Sequence, residues 1–333
     1  MKRILIVNVN WLGDTLFATP FIRAVRENYK DSYIAVLTHP RCVEVLRGNP
    51  YIDEFIIYDE KNKHRHFLEK FAVISDLKQK KFDIAFILRK SLTRTMLLFL
   101  SRIPERIGYS SKRAGFLLTK KIKPLAGKSL HKVEYFLNLA RASGINPSGI
   151  EYDFFIPEED LKKGEELLKQ FALEENNFIV MNPGGNWDLK RWPLENFAKL
   201  GDRIYDRYKI KVVLTGSEKD IDLCNRIYSL MKNKPVLLCG KTTLKTLGVV
   251  FKRSRQVISN DSGPMHIATA VKANIIALFG PTDSSITGPY GRNGNYQALH
   301  KNINCAVPCY KLSCKNNLCM KAISVADVME LLK

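Results

Sequence analysis

Apolar residues fall in two alternating rhythms along this chain. Short runs of consecutive apolar positions, the pattern of strands buried on both faces, occur at residues 2–9, 34–38, 53–58, 84–88 and 105–109. Between them apolar residues recur at helical spacing. Helices are predicted from Leu16, with Phe17, Phe21, Ile22 and Val25 inward, and over 42–47, 67–79, 91–100 and 130–143. Asn146-Pro147-Ser148-Gly149 through Pro157 reads as a linker, and a helix follows over 161–171. The alternation then restarts with strands at 178–182, 212–215, 236–238, 257–259 and 275–279, and helices at 194–208, 220–231, 244–251 and after Pro264.

Strands spaced by helices imply parallel sheets. The pattern predicts an α/β chain of two Rossmann-like domains, residues 1–157 and 158–321, with their sheets facing a central cleft. A final helix over 325–332, within a tail at 322–333, is expected to pack back on the first domain.

Composition agrees with two full cores: the chain has 333 residues, 45% of them hydrophobic, as in globular proteins. No apolar run approaches the ~20 residues of a membrane span. Asn8, Asn10 and Asp14 interrupt the first run, which argues against a signal peptide. Seven cysteines, an odd number, suit a reducing compartment. A cytoplasmic location is expected.

The net charge is +20, and it is unevenly spread. Between Lys78 and Lys132 fifteen Lys or Arg, Lys128 among them, face only two acids, Asp83 and Glu105. Such a field attracts a polyanion or an anionic membrane surface; a plain solvated face is the alternative. A basic nucleic-acid-binding protein is allowed by charge, but no helix-turn-helix, RRM, KH or zinc-finger pattern accompanies it.

Two segments carry candidate chemistry. Val257 and Ile258 run into Ser259-Asn260-Asp261-Ser262-Gly263-Pro264-Met265-His266, a strand, a polar turn and a helix start. Free amides at a helix N-terminus suit a phosphate. Asp261 would repel one, so it faces sugar hydroxyls or caps the turn. The first strand leads into Asn10-Trp11-Leu12-Gly13-Asp14-Thr15. The turn lacks G-x-G-x-x-G, so a dinucleotide is not indicated. Asp14 stands where open α/β sheets place ligands. It can take a proton from an attacking hydroxyl or cap the first helix.

Together with Asn182-Pro183-Gly184-Gly185, Lys190-Arg191-Trp192-Pro193, Leu214-Thr215-Gly216-Ser217-Glu218 and Phe279-Gly280-Pro281-Thr282-Asp283, these segments form an ordered series. It resembles the ADP-heptose:lipopolysaccharide heptosyltransferases, glycosyltransferase family 9, with the Trp-x-Gly-Asp opening nearest to the heptosyltransferase II branch. The resemblance implies the GT-B fold, ADP-L-glycero-D-manno-heptose as donor and the lipopolysaccharide inner core as acceptor. It also implies inverting transfer with no metal or other cofactor. By the same resemblance Asp14 is the general base, Lys190 a phosphate and sugar contact, and Glu218 a ribose reader. Asp261, Ser262, Gly263 and His266 then form the donor turn. Gly185-Asn186 stands where some members carry hydroxyl residues. From the residues alone, Lys190 and Arg191 are interchangeable, Glu218 could belong to a helix cap, and His266 could be an ordinary core histidine.

The resemblance gives the basic stretch a partner, an anionic lipid-linked acceptor at the cytoplasmic face of the inner membrane. Arg89, Lys90, Arg94, Arg106 and Arg113 are the expected acceptor contacts, chosen from charge density. A glycosyltransferase with another nucleotide sugar would carry the same motifs. Cys305, Cys309, Cys314 and Cys319 cluster near the end with spacings that a tetrahedral thiolate site tolerates, but unlinked thiols are the preferred reading.

Overall fold

The structure, a computed structural model, describes residues 1–125, 130–292, 294–309, 311 and 313–332. Lys128 of the basic stretch therefore lies outside the described residues. The chain divides into two compact units, Met1–Phe155 and Ile156–Lys333.

The first unit runs β1 (Arg3–Val7), α1 (Leu12–Asn28), β2 (Tyr33–Thr38), α2 (Pro40–Leu46), β3 (Glu54–Ile57), α3 (Phe67–Gln79), β4 (Ile84–Ile87), α4 (Leu92–Leu100), β5 (Glu105–Tyr109), β6 (Lys120–Ile122) and α5 (Lys132–Ala142). Its sheet has the order β3-β2-β1-β4-β5-β6, and neighbouring strands pair in parallel. Ile4 to Val7 of β1 are all buried, as expected of a central strand with helices on both faces. Side chains alternate along it: Leu5 and Val7 join one core layer with Leu37, Leu77 and Leu97. On α1, Phe21 meets Phe86 of β4 edge-on at 5.4 Å.

The second unit runs α6 (Glu158–Gln170), β7 (Phe178–Asn182), α7 (Leu194–Tyr208), β8 (Lys211–Leu214), α8 (Ile221–Leu230), β9 (Val236–Leu237), α9 (Leu244–Arg253), β10 (Gln256–Asn260) and α10 (Gly263–Ala270). It continues through β11 (Ile275–Phe279), α11 (Ser284–Thr287), β12 (Tyr296–His300), α12 (Leu318–Lys321) and α13 (Val325–Glu330). The sheet order is β12-β11-β10-β7-β8-β9, again with parallel pairings. Read from β7 outward, it repeats the topology of the first sheet, the Rossmann order. The α/β class with parallel sheets is thus the one the sequence pattern predicts. The edge strands β6 and β12 are not in that pattern.

The last helix packs within the second unit. Val325 and Val328 are buried in one cluster with Trp192 and Ile204 of the second unit, and the Trp192 indole N–H donates to the Ile323 carbonyl at 2.9 Å. The apolar face of α13 is used there. Among the described residues no helix is long and apolar enough to cross a membrane.

Candidate active site

In sheets of this order, ligands bind beyond the carboxyl ends of the strands where the winding reverses. That point lies between β1 and β4 in the first unit and between β7 and β10 in the second. Asp14, Arg89 and Lys90 follow β1 and β4, and Lys190 and Asp261 follow β7 and β10; Arg106 lies near the start of β5, Arg113 after its end, and Glu218 after β8.

In the first unit the loop after β1 is held from below. Asn8 is buried, and its amide lies 3.4 Å from the Thr15 hydroxyl and 3.3 Å from that of Thr38. Arg94, only 1% exposed, donates to the Asn8 carbonyl and to Asn10 Oδ1, both at 2.5 Å. Its Nε lies 3.5 Å from Glu60 Oε2, and Glu60 Oε1 accepts from the Asn10 amide at 3.1 Å. Burial lowers the Arg94 pKa, and the Glu60 carboxylate works against that shift.

Asp14 is the third residue of α1, half-buried, in the first turn. A carboxylate there is favoured by the positive end of the helix dipole. The N-cap position belongs to Trp11, so the alternative of Asp14 as helix cap is set aside. Trp11 is exposed, and the Arg41 guanidinium lies 4.5 Å over its ring. His39, just past β2, caps α2 by accepting from the Arg41 N–H and faces Asp59 at 3.4 Å. Burial and the nearby Arg41 lower its pKa.

The expected acceptor contacts separate into two groups. Arg89, Lys90 and Arg113 are exposed. Arg94 is not a free cation, since it is buried under the Asp14 loop. Arg106 donates to the carbonyls of Leu117 and Ile103 and stacks on Phe99. The Arg94 guanidinium is buried, and that of half-buried Arg106 is partly engaged by the fold.

In the second unit the Lys190 ammonium sits 2.6 Å from Asp261 Oδ2. Thr282 donates to the same oxygen at 2.6 Å. Asp261 is 6% exposed. It is neither a helix cap nor an open carboxylate, since Ser262 is the N-cap of α10. Its observed role is to hold Lys190. Asn260 fastens the same two loops together, accepting from Trp192 N–H at 3.1 Å and donating to the Pro183 carbonyl at 2.8 Å. Arg191 is distinguished from Lys190 by its partners: it donates twice to the Gly185 carbonyl, at 3.0 and 2.6 Å.

Gly184 is required by close packing. A Cβ there would fall 2.7 Å from the Asp220 carboxylate, which is itself occupied by the Ser217 N–H and hydroxyl at 2.9 and 2.7 Å. Ser217 and Asp220 thus form the cap of their turn, and Glu218 between them is exposed. Gly263 opens α10, Pro264 is in its first turn, and His266 is buried. The Ser262 hydroxyl lies 3.3 Å from that of Ser259. This end of the unit offers an ammonium, a helix N-terminus and a solvent-facing carboxylate, a set able to hold a phosphorylated, hydroxyl-bearing ligand.

The terminal cysteines Cys305, Cys309, Cys314 and Cys319 line one apolar cavity of about 170 Å³ beside Pro281 and His300. All four are free thiols. Among the described residues no group of three or more His, Cys, Asp or Glu is arranged to hold a metal.

Sequence reasoning missed Asn10, His39, Glu60 and Thr282. Thr282 stands in a quoted motif, but nothing local ties it to Asp261.

Two Rossmann-type units with charged residues at each switch point describe an enzyme acting on a nucleotide-linked substrate. A family model, glycosyltransferase family 9 (heptosyltransferase), matches residues 70–319. The chain is 30% identical over 334 residues to a lipooligosaccharide heptosyltransferase 2 of Campylobacter jejuni, covering 97% of this chain and 96% of that one. The crystal structure of the glycosyl transferase family 9 from Veillonella parvula DSM 2008 is similar with a TM-score of 0.90 and 27% identity, over 99% of this chain and 96% of that chain. The ADP-heptose lps heptosyltransferase II of E. coli shares the fold, with a TM-score of 0.79 and 24% identity over 100% and 97% of the two chains. The chain belongs to glycosyltransferase family 9, the heptosyltransferase family.

Proposed function

We propose that this enzyme transfers heptose from ADP-L-glycero-D-manno-heptose to the inner core of lipopolysaccharide, with inversion at the anomeric carbon. The observation that supports this most is the Lys190–Asp261–Thr282 constellation beside the N-terminus of α10, found in a chain of this family.

The acceptor hydroxyl gives its proton to Asp14 as its oxygen attacks C1 of the heptose. The bond from C1 to the diphosphate oxygen breaks on the opposite face, so a single displacement inverts the centre. Negative charge grows on the departing ADP. The Lys190 ammonium and the amides opening α10 meet that charge, and Asp261 keeps Lys190 in position. Ser262, Gly263 and His266 frame the diphosphate and the sugar, and Glu218 receives the ribose hydroxyls. Arg89, Lys90 and Arg113 attract the phosphates and carboxylates of the acceptor. Because that acceptor is lipid-linked, the enzyme works at the cytoplasmic face of the inner membrane.

The test is calorimetry with ADP, UDP, GDP and ADP-heptose, followed by mass spectrometry of a heptose-bearing inner-core acceptor after incubation. Binding of ADP and ADP-heptose alone, with the acceptor gaining one heptose, is expected. A preference for UDP or GDP would overturn the donor, and an unchanged acceptor mass would overturn the reaction.

A further inference from the structure

We infer that residues 61–71 of the first unit form an interfacial anchor that docks on an anionic lipid leaflet. The inference rests on the transfer reading only for its purpose, the capture of a lipid-linked acceptor.

Helix α3 carries two apolar sets. Val73 and Leu77 are buried in the core of the first unit. Phe67, Leu68 and Phe71 are 71%, 80% and 47% exposed. They stand at i, i+1 and i+4, one side of the first helical turns, and the rings of Phe67 and Phe71 meet edge-on at 4.5 Å. None of the three belongs to the cluster that holds Val73 and Leu77.

The residues just before are cationic. Lys61, Lys63 and Arg65 are all exposed. With Lys70 they make four cations against one acid, Glu69, within residues 61–71. An apolar tip behind a basic collar matches a leaflet whose acyl region is apolar and whose headgroups are anionic. A nucleic acid would match the collar and leave Leu68 in water.

The collar is held in place. Asp59 Oδ1 accepts from the N–H groups of Lys61 and Asn62 at 3.3 and 3.2 Å, and the Asp59 N–H donates to His64 Nδ1 at 2.9 Å. Glu60 ties the segment to Asn10 and Arg94 and lies 3.9 Å from Arg89. The anchor is therefore fastened to the loop that leads into Asp14. A chain resting on these side chains would hold the carboxyl end of its first sheet close to the lipid surface, where a lipid-borne hydroxyl arrives.

The experiment is cosedimentation of the full chain with vesicles rich in phosphatidylglycerol and with pure phosphatidylcholine vesicles. Two triple variants accompany the wild type, Lys61→Gln/Lys63→Gln/Arg65→Gln and Phe67→Ser/Leu68→Ser/Phe71→Ser, with Leu230→Ser as an exposed apolar control in the second unit. The wild type and the control are expected to prefer the anionic vesicles and to lose binding as salt rises. At roughly fivefold per basic residue, the charge variant loses on the order of a hundredfold in partitioning. The apolar variant loses at least about tenfold. All four proteins keep their transfer rate on a delipidated, soluble acceptor. Equal wild-type binding to both vesicle types, no loss in either triple variant, or conversion of a wild-type dimer to a monomer by the apolar variant would overturn the anchor. Absence of wild-type transfer to the soluble acceptor would instead fault the transfer reading and leave the vesicle result standing.

Discussion

At the scale of single residues, charge alone does not say where a cation ends up. Arg94 and Arg113 belong to the same basic stretch, yet one is buried and the other exposed. Arg94→Ala removes the donor to Asn8 and Asn10 and leaves Glu60 without its buried partner. By denaturant unfolding the loss should be about 3 kcal/mol or more. Arg113→Ala should leave unfolding unchanged and raise the acceptor KM by roughly two- to fivefold, the worth of one exposed charge. An equal stability loss in both would contradict the division. Lys190 and Asp261 act as a pair. Lys190→Ala should lower kcat by about two to three orders of magnitude through lost stabilisation of the leaving diphosphate. In a double-mutant cycle with Asp261→Asn the coupling should be on the order of 0.5–3 kcal/mol. Strict additivity would mean that Asp261 does not position Lys190. The motifs made Lys190 and Asp261 legible in the sequence. Their mutual contact was not, because it joins loops after two different strands, and neither was Thr282 as its third member.

At the scale of elements, the buried strands and the edges β3 and β9 were legible, and the edges β6 and β12 were not. β1 and β7 are uninterrupted apolar runs because both faces are covered. β6, with the sequence Lys-Lys-Ile, and β12, with Tyr-Gln-Ala-Leu-His, are edge strands with partial exposure. An edge tolerates polar residues and helps avoid sheet extension with charge, so no apolar rhythm marks it. The last helix was legible as a helix, but its partner was not, since an amphipathic stripe does not name the surface it will meet. α13 begins with a capping box in which Ser324 caps the backbone and Asp327 reaches back. Asp327 also holds the Lys301 ammonium at 2.7 Å. That bond and those from Ser324 lower the Asp327 pKa. A lowered carboxylate pKa gives stability that is present above the unfolded value and lost as the pH falls through the folded one. The melting temperature of Asp327→Asn should therefore fall less steeply than that of the wild type as the solution is acidified below about pH 4. Ser324→Ala should cost about 1 kcal/mol, a shift of roughly 2–4 °C in a domain of this size. Identical acid profiles for wild type and Asp327→Asn would show that the carboxylate does not fasten the helix.

At the scale of the whole molecule, one topology is used twice for different chemistry. Each unit winds its sheet in the same order, so each has a reversal point with loops free to vary. The first unit fills it with Asp14 above a buried Arg94, and the second with Lys190 beside a helix N-terminus. The alternation of strands and helices carried the fold in the sequence because eight of the twelve strands are central. The ordered motifs carried the family. The excess of cations pointed to an anionic partner without saying which of them face it, since burial is decided by packing across the sheet. The most direct measurement is a comparison of Asp14→Asn with the wild type, in ADP-heptose calorimetry and in turnover on a heptose-bearing inner-core acceptor. If Asp14 is the base, donor affinity should stay within about twofold while kcat falls by about two to four orders of magnitude. Turnover close to that of the wild type would contradict the assignment of the base.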